Sequence, residues 1–269
     1  MVQTVATSRL NWKLTVAALA LAGAAAFAAV SMSQRDALQA RLLRALPDQA
    51  AADPQLVRLA IAQARPLYLQ HCAGCHGADL QGNPERGAPN LADGVWLFGS
   101  GTVFDIERTL LYGVRAGRSK GHSLTDMPAF GLTGRLSEGE IRSAVQYVLQ
   151  LSGNPYDAPA ASEGRAIYVG KADCGDCHGP DARGDSAYGA PDLTRNVWNS
   201  GGDARSLYRT IYSGQNRVMP AWAGTLSLEE IRALAVYLNS VSHSSGQARA
   251  RAVRLPCYTG QDCGLGQSR

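Results

Sequence analysis

Between Leu14 and Gln34 the chain carries no charged side chain, and Arg9 and Lys13 precede the run. Some twenty helical residues cover about 30 Å, the depth of a bilayer's hydrocarbon core, so the run predicts a membrane-crossing helix. Ala26-Phe27-Ala28 places small residues at cleavage spacing, which makes a removed export signal the competing reading. The expectation is a retained anchor, and both readings export the residues after Arg35. Further on, apolar residues recur at helical spacing in Ile141-Val145-Val148-Leu149 and in Ile231-Leu234-Ala235-Leu238. Each run follows a capping box, Ser137-x-x-Glu140 and Ser227-x-x-Glu230, in which hydroxyl and carboxylate satisfy the first free amides. Earlier helices are predicted from about Pro54 to Leu69, with Pro66 bending or interrupting it, and from about Ser162 to Val169. Asn154-Pro155-Tyr156-Asp157-Ala158-Pro159 breaks the periodicity as a linker would.

The second half repeats the first. Cys72, His76, Asp79, Gly82, Gly87, Ala88, Pro89, Leu91 and Trp96 recur 102 positions later as Cys174, His178, Asp181, Gly184, Gly189, Ala190, Pro191, Leu193 and Trp198. Met127-Pro-Ala-Phe answers Met219-Pro-Ala-Trp at an offset of 92, so the first repeat holds extra residues between Gly113 and Met127, among them Arg118, Lys120 and His122. The expected layout is a membrane anchor or signal over 1–34, a polar helical stalk over 35–53, a first domain over 54–153, a linker over 154–161, a second domain over 162–243 and a basic tail over 244–269. The class is all-α, with an N-terminal and a C-terminal helix crossing in each domain.

Charge narrows the partners. The formal net charge is +4, of which Arg9 and Lys13 give residues 1–34 a charge of +2. Arg249, Arg251, Arg254 and Arg269 against Asp262 give residues 246–269 a charge of +3, which leaves −1 for residues 35–245. A nearly neutral globular part does not indicate nucleic acid binding. Around the second Cys-x-x-Cys the residues Asp173, Asp176, Asp181, Asp185 and Asp192 outnumber Lys171 and Arg183, which reads as a solvated loop or as a docking face for a basic partner. In an oxidising compartment Cys257 and Cys263 of the tail are expected to close a local disulfide, with two free thiols as the alternative.

The chemistry lies in Cys72-Ala-Gly-Cys75-His76 and Cys174-Gly-Asp-Cys177-His178. Two thiols three residues apart on one turn can add to the two vinyl groups of a haem, and the next residue brings an imidazole to the iron. Two covalently bound haems c are therefore expected, held by Cys72, Cys75, Cys174 and Cys177, with His76 and His178 as axial ligands. Paired zinc hooks rarely place His directly after the second Cys. Four methionines are present, and only Met127 and Met219 lie within the haem domains, so they are the expected sixth ligands rather than core filling. A thioether raises the potential and closes the iron to substrates, which suits a carrier. His122 is the one rival ligand; His71 and His243 are poorly placed. Trp96 and Trp198 as indole donors, and Arg118 and Arg217 as charged ones, are candidate contacts to haem propionates; Tyr112 and Tyr212 read as core.

These residues resemble a known family, the membrane-anchored dihaem subunit III, or P subunit, of C-family (cbb-type) haem-copper oxidases. The resemblance runs from about Asp53 to Ser242. It is most specific at Gly87-Ala-Pro-Asn-Leu91 with Trp96-Leu-Phe-Gly99, at Gly113 to Gly131, and at Met219-Pro-Ala-Trp222 with Ile231-Arg-Ala-Leu-Ala-Val-Tyr237. It implies two tandem class I cytochrome c domains, with Cys72, Cys75, His76 and Met127 as one haem set and Cys174, Cys177, His178 and Met219 as the other. It also implies electron delivery from a soluble cytochrome c or a quinol-oxidising complex to the catalytic and monohaem subunits of an oxidase, with the anchor in the bacterial inner membrane and the haems in the periplasm. The tail with Cys257 and Cys263, and the lack of a Trp-rich segment before the anchor, depart from the family. A dihaem carrier for a periplasmic dehydrogenase is the alternative, and a dihaem peroxidase, which needs an open or His-switched iron, a further one. Whether each Met serves its own repeat or the other is open, because both arrangements leave the same sequence.

Overall fold

The computed structural model describes the backbone of residues 4–122 and 126–253 and the side chains of residues 12, 14–122 and 126–243. The tail cysteines Cys257 and Cys263, and the side chains of Arg9, Lys13, Arg249, Arg251 and Arg254, lie outside the described residues. Ten helices are described: α1 (Thr4–Arg44), α2 (Pro47–Ala52), α3 (Pro54–His71), α4 (Ala73–His76), α5 (Val103–Tyr112), α6 (Glu138–Leu151), α7 (Ala158–Val169), α8 (Gly175–His178), α9 (Ala204–Ser213) and α10 (Leu228–Val253). Among the described residues only isolated β-bridges occur, and no strand forms.

Helix α1 runs for 41 residues, about 60 Å at 1.5 Å per residue. Within Leu14–Arg44 lies a window of mean hydropathy 2.0 with none of it buried, and Leu19, Leu21 and Phe27 are all exposed. It is long and apolar enough to cross a membrane. Its last turns are different: Leu42 is fully buried and Leu38 half-buried, and with Ala50 of α2 they enter the core of the first repeat. Residues 35–53, expected as a stalk, are therefore docked against α3, α5 and α10.

Three local expectations change. Helix α3 passes through Pro66 without interruption. Proline removes one donor and strands the carbonyl of Ala62, but both residues are exposed, so water can satisfy that oxygen. Helix α7 starts at Ala158 instead of about Ser162, because the Asp157 carboxylate accepts from the Ala160 amide and Pro159 falls in the first turn, where no amide is needed. Helix α10 continues to Val253, past the predicted end of the second domain. Both predicted capping boxes form: Ser137 and Ser227 each accept from the amide three residues on, and Glu140 and Glu230 each accept back from the serine amide at 2.8 Å.

The packing crosses between the repeats. Helix α10, from the second repeat, lies on α3 and α5 of the first; helix α6, from the first, lies on α7 and α9 of the second. Ile231 and Leu234 of α10 share one core with Leu56 and Tyr68 of α3 and with Ile106 and Leu110 of α5. Val145, Val148 and Leu149 of α6 share another with Tyr168 and Leu207, while Phe130, Leu136 and Ile141 join Ala172 in a third. Each buried Leu or Ile contributes about 1.5–3 kcal/mol, which holds these pairings together. The chain changes partner after α5 and after α9, at Gly113 and Gly214. Both have φ +71, and a Cβ at Gly113 would lie 2.5 Å from the Met219 carbonyl oxygen and at Gly214 2.4 Å from that of Met127, so only glycine fits. At these exchanges Val114 and Met219 trade both backbone hydrogen bonds at 3.0 Å, and Met127 and Gln215 trade theirs at 3.1 and 3.0 Å.

Candidate functional site

Each Cys-x-x-Cys-His motif forms a single helical turn. In the first, the amides of Cys75 and His76 donate to the Cys72 carbonyl at 3.1 and 2.9 Å; in the second, Cys177 and His178 donate to that of Cys174 at 3.3 and 2.9 Å. The Tyr68 hydroxyl donates to the Gly77 carbonyl, and Tyr168 to Gly179, both at 2.6 Å, tying the preceding helix to the end of the motif. Leu80 and Ala182, at matching positions, both take a left-handed backbone conformation with φ +64 and +60. A side-chain-bearing residue adopts that only where its surroundings enforce it. Here Leu80 and Ala182 are buried and their carbonyls accept from Leu91 and Leu193 at 2.8 Å.

Those loops orient the histidines. His76 Nδ1 lies 3.0 Å from the Pro89 carbonyl oxygen, and His178 Nδ1 lies 3.0 Å from that of Pro191. A carbonyl only accepts, so Nδ1 carries the proton and the lone pair is left on Nε2. Burial pushes both imidazoles below their ordinary pKa, which favours the neutral, ligating form. A proximal haem ligand needs this arrangement: a fixed tautomer and an acceptor on the far ring nitrogen that raises ligand basicity. None of the four motif cysteines is tied up in a disulfide. Cys72 and Cys174 are partly buried, and burial pushes both thiols up to about 11, whereas Cys75 is exposed. The donor set and its positioning therefore fit two haems. No cluster of three or more His, Cys, Asp or Glu among the described residues is arranged to hold a bare metal ion.

The methionines are grouped crosswise. Met219 and Trp222 pack into the core that contains Cys72, and the Trp222 amide donates to the Leu110 carbonyl at 2.9 Å. Met127 is bonded to Gln215 just beyond α9; Phe130, three residues on, donates to the Ile211 carbonyl at 3.2 Å and packs with Cys174. Of the two arrangements that the sequence leaves open, this packing groups Met219 with the Cys72 unit and Met127 with the Cys174 unit, crosswise to the sets that the family resemblance implies. The reason is the exchange at Gly113 and Gly214, which carries each Met-Pro loop onto the other repeat.

The other candidates take simpler places. His122 stacks on Phe98 with ring centroids 4.2 Å apart, and its Nε2 lies 3.1 Å from Thr109 Oγ1. That hydroxyl already donates to the Asp105 carbonyl, so His122 Nε2 is the donor and is not poised to ligate. His71 packs edge-on against Trp222 at 5.3 Å, and His243, exposed, lies within α10 instead of after it. Trp198 donates its indole N–H to Asn196 at 2.8 Å, while Trp96 lies against Gly101 in the first core. Arg217 reaches the first repeat, donating to the Glu85 carbonyl at 2.5 Å and lying over Gly87; Arg118 is exposed. Tyr112 and Tyr212 are half-buried, with Lys120 over the first ring and Tyr208 stacked on the second. The acidic residues of the second repeat are partly matched by Arg135, Arg183 and Arg195 at 3.8, 3.5 and 3.4 Å from Asp173, Asp181 and Asp192. A cavity of about 280 Å³ opens between Trp96 and Leu97 of the first repeat and Arg183, Pro191 and Arg195 of the second.

Residues 59–148 and 159–238 match the sequence family described as "Cytochrome C oxidase, cbb3-type, subunit III". Over 208 residues the chain is 38% identical to the cbb3-type cytochrome c oxidase subunit FixP of Azorhizobium caulinodans, covering 77% of this chain and 68% of that protein. It is 42% identical over 193 residues to FixP of a Bradyrhizobium species, covering 70% and 63%, and 38% identical over 221 residues to subunit CcoP of an Azospirillum species, covering 78% and 73%. The matched stretches thus span about two thirds of these relatives' length.

Proposed function

Because this chain belongs to the subunit III family of cbb3-type cytochrome c oxidases, we propose that it relays single electrons from a periplasmic donor into the catalytic part of such an oxidase. Two haems c supply the one-electron chemistry when bound. What this chain supplies is position. Cys72 and Cys75, and Cys174 and Cys177, would be the covalent attachments, and His76 and His178 would offer Nε2 to the irons.

The carrying observation is the pair of matched histidines, each with Nδ1 held 3.0 Å from a proline carbonyl, together with a Met-Pro loop brought to each motif from the other repeat. On this reading Met219 is the sixth ligand in the Cys72 unit and Met127 in the Cys174 unit. An iron closed by His and Met suits transfer rather than substrate binding, and a thioether favours the reduced state. Trp96, Trp198, Arg118 and Arg217 remain candidate propionate contacts, with Arg217 reaching across to the first repeat. Helix α1 is read as a retained anchor, with Arg9 and Lys13 on the cytoplasmic side and both haem units in the periplasm.

Solubilising membranes gently and purifying the chain tests this reading. The expected result is co-purification with a haem-copper catalytic subunit and oxidation of both haems by it in the presence of oxygen. Recovery with a dehydrogenase and no haem-copper subunit would overturn the oxidase assignment.

A further inference from the structure

Helix α1 ends at Arg44, and the carbonyls of its last turn have no partner within the helix. Two carbonyls at this end, those of Leu42 and Ala45, accept from Nη1 of Arg232 at 3.1 and 2.8 Å. Arg232 stands on α10, nearly two hundred residues away in sequence. The other side of its guanidinium pairs with both carboxylate oxygens of Glu107 on α5, through Nε to Oε1 and through Nη2 to Oε2. Both side chains are largely buried, at 13% and 14% exposure. A planar fork with five donors can bind two carbonyls and pair a carboxylate through both its oxygens; a lysine, with three donors on one nitrogen, cannot make all four contacts.

Two further ties act on the same stretch of α1. Arg41 pairs with Asp53, the cap of α3, and Gln63 of α3 donates to Gln39 at 3.2 Å. Leu42, next along the helix, is fully buried. Helix α1 is unbroken from its apolar run to this point, so whatever holds Leu42 also holds the apolar helix.

The corresponding place in the other unit shows that this is an addition to the shared template. Arg142 of α6 occupies the position of Arg232, and Tyr208 of α9 that of Glu107. Arg142 is exposed, pairs with Glu138 of its own helix at 2.8 Å and lies 5.9 Å from the Tyr208 ring. Among the described residues its partners are these two alone, and neither is a helix-end carbonyl.

We infer that Arg232, oriented by Glu107, is a positioning residue that locks the end of the α1 helix to the first haem unit, so that this unit is held in one orientation on the membrane helix instead of swinging on a tether. The lock unites three segments, α1, α5 and α10, and it is in place only when the C-terminal helix of the second repeat has docked on the first. The inference rests on α1 acting as the anchor and holds whichever complex receives the electrons.

The test uses the full chain in detergent or nanodiscs and measures amide hydrogen exchange over residues 42–53 together with tryptic cleavage after the exposed Arg44. Arg232→Gln is expected to speed both by about tenfold or more, as the loss of a buried charge-assisted contact implies, with the Met–iron absorption band of both haems retained. Arg142→Gln, the matched control, is expected to change neither. Glu107→Gln, which keeps the carbonyl contacts, should fall between; it also serves if Arg232→Gln fails to fold. Equal exchange in the Arg232 or Glu107 variant and the parent, or equal acceleration by Arg142→Gln, overturns the inference. The readout does not depend on any partner, so failure of the oxidase assignment would leave it intact.

Discussion

Where α10 sets an arginine against a glutamate of α5, α6 sets an arginine against a tyrosine of α9; the two haem units share a template and differ in what is built onto it. The first unit has a larger core, closed by α10 and extended by Leu42 of α1 and Ala50 of α2. The second is closed by α6 alone, and its core is divided into two small clusters. The helix crossings differ too. In the first unit Ala64 of α3 and Ala233 of α10 are both fully buried. In the second, Gly164 of α7 meets the Ser143 backbone of α6 so closely that a Cβ would lie 2.0 Å from its carbonyl oxygen. The first unit is thus the one tied to the membrane helix, while the second packs its crossing more tightly and carries the acidic loops.

The largest consequence concerns the linker. A single cut within residues 154–156 is expected to leave the two halves associated in gel filtration, because α6 and α10 are each seated on the opposite repeat. Independent domains would separate. Next, Ile231→Ala is expected to cost about 2–5 kcal/mol by leaving a cavity, and to destabilise the unit of Cys72, although Ile231 lies in the second repeat. Ile141→Ala should do the same to the unit of Cys174. Denaturant titration followed at each haem would resolve this, and loss confined to the haem of the same repeat would break the comparison.

A smaller effect separates the crossings. Gly164→Ala should cost about 1–3 kcal/mol by forcing α7 away from Ser143, whereas Ala64→Gly in the first unit should cost about 1 kcal/mol through helix propensity. The smallest concerns Glu140, which the hydrogen bond from Lys171, first among its causes, holds down at about 2 from an ordinary 4.5. A lowered folded pKa means that its contribution is full above about 4.5 and is lost as pH falls through about 2. Comparing Glu140→Gln with the parent by thermal melts across that window should show their difference shrinking as pH falls. Both partners are on the surface, so the effect is small and weakens with salt.

Much of the fold was legible in the sequence. The capping boxes at Ser137 and Ser227, the two Cys-x-x-Cys-His turns and the uncharged run after Lys13 are local signals, and each formed as its chemistry requires. Pro159 misled because proline breaks a helix interior but suits a first turn, and the deciding group was Asp157 as cap. Partner choice was illegible for a different reason. Ile141 and Ile231 head nearly interchangeable apolar faces, so periodicity states that each must be buried without stating on which helix. That choice is made at Gly113 and Gly214, by contacts between residues about a hundred positions apart. Arg232 likewise carries no local signal, because its partners at Leu42, Ala45 and Glu107 are all distant in sequence.

The proposed crosswise pairing of sulphur and haem is tested most directly by nuclear Overhauser contacts in the reduced full-length protein. The strongly shifted methyl signal abolished by Met219→Leu should show contacts to protons of the haem attached at Cys72 and Cys75. Contacts from that methyl to the haem attached at Cys174 and Cys177 would contradict it.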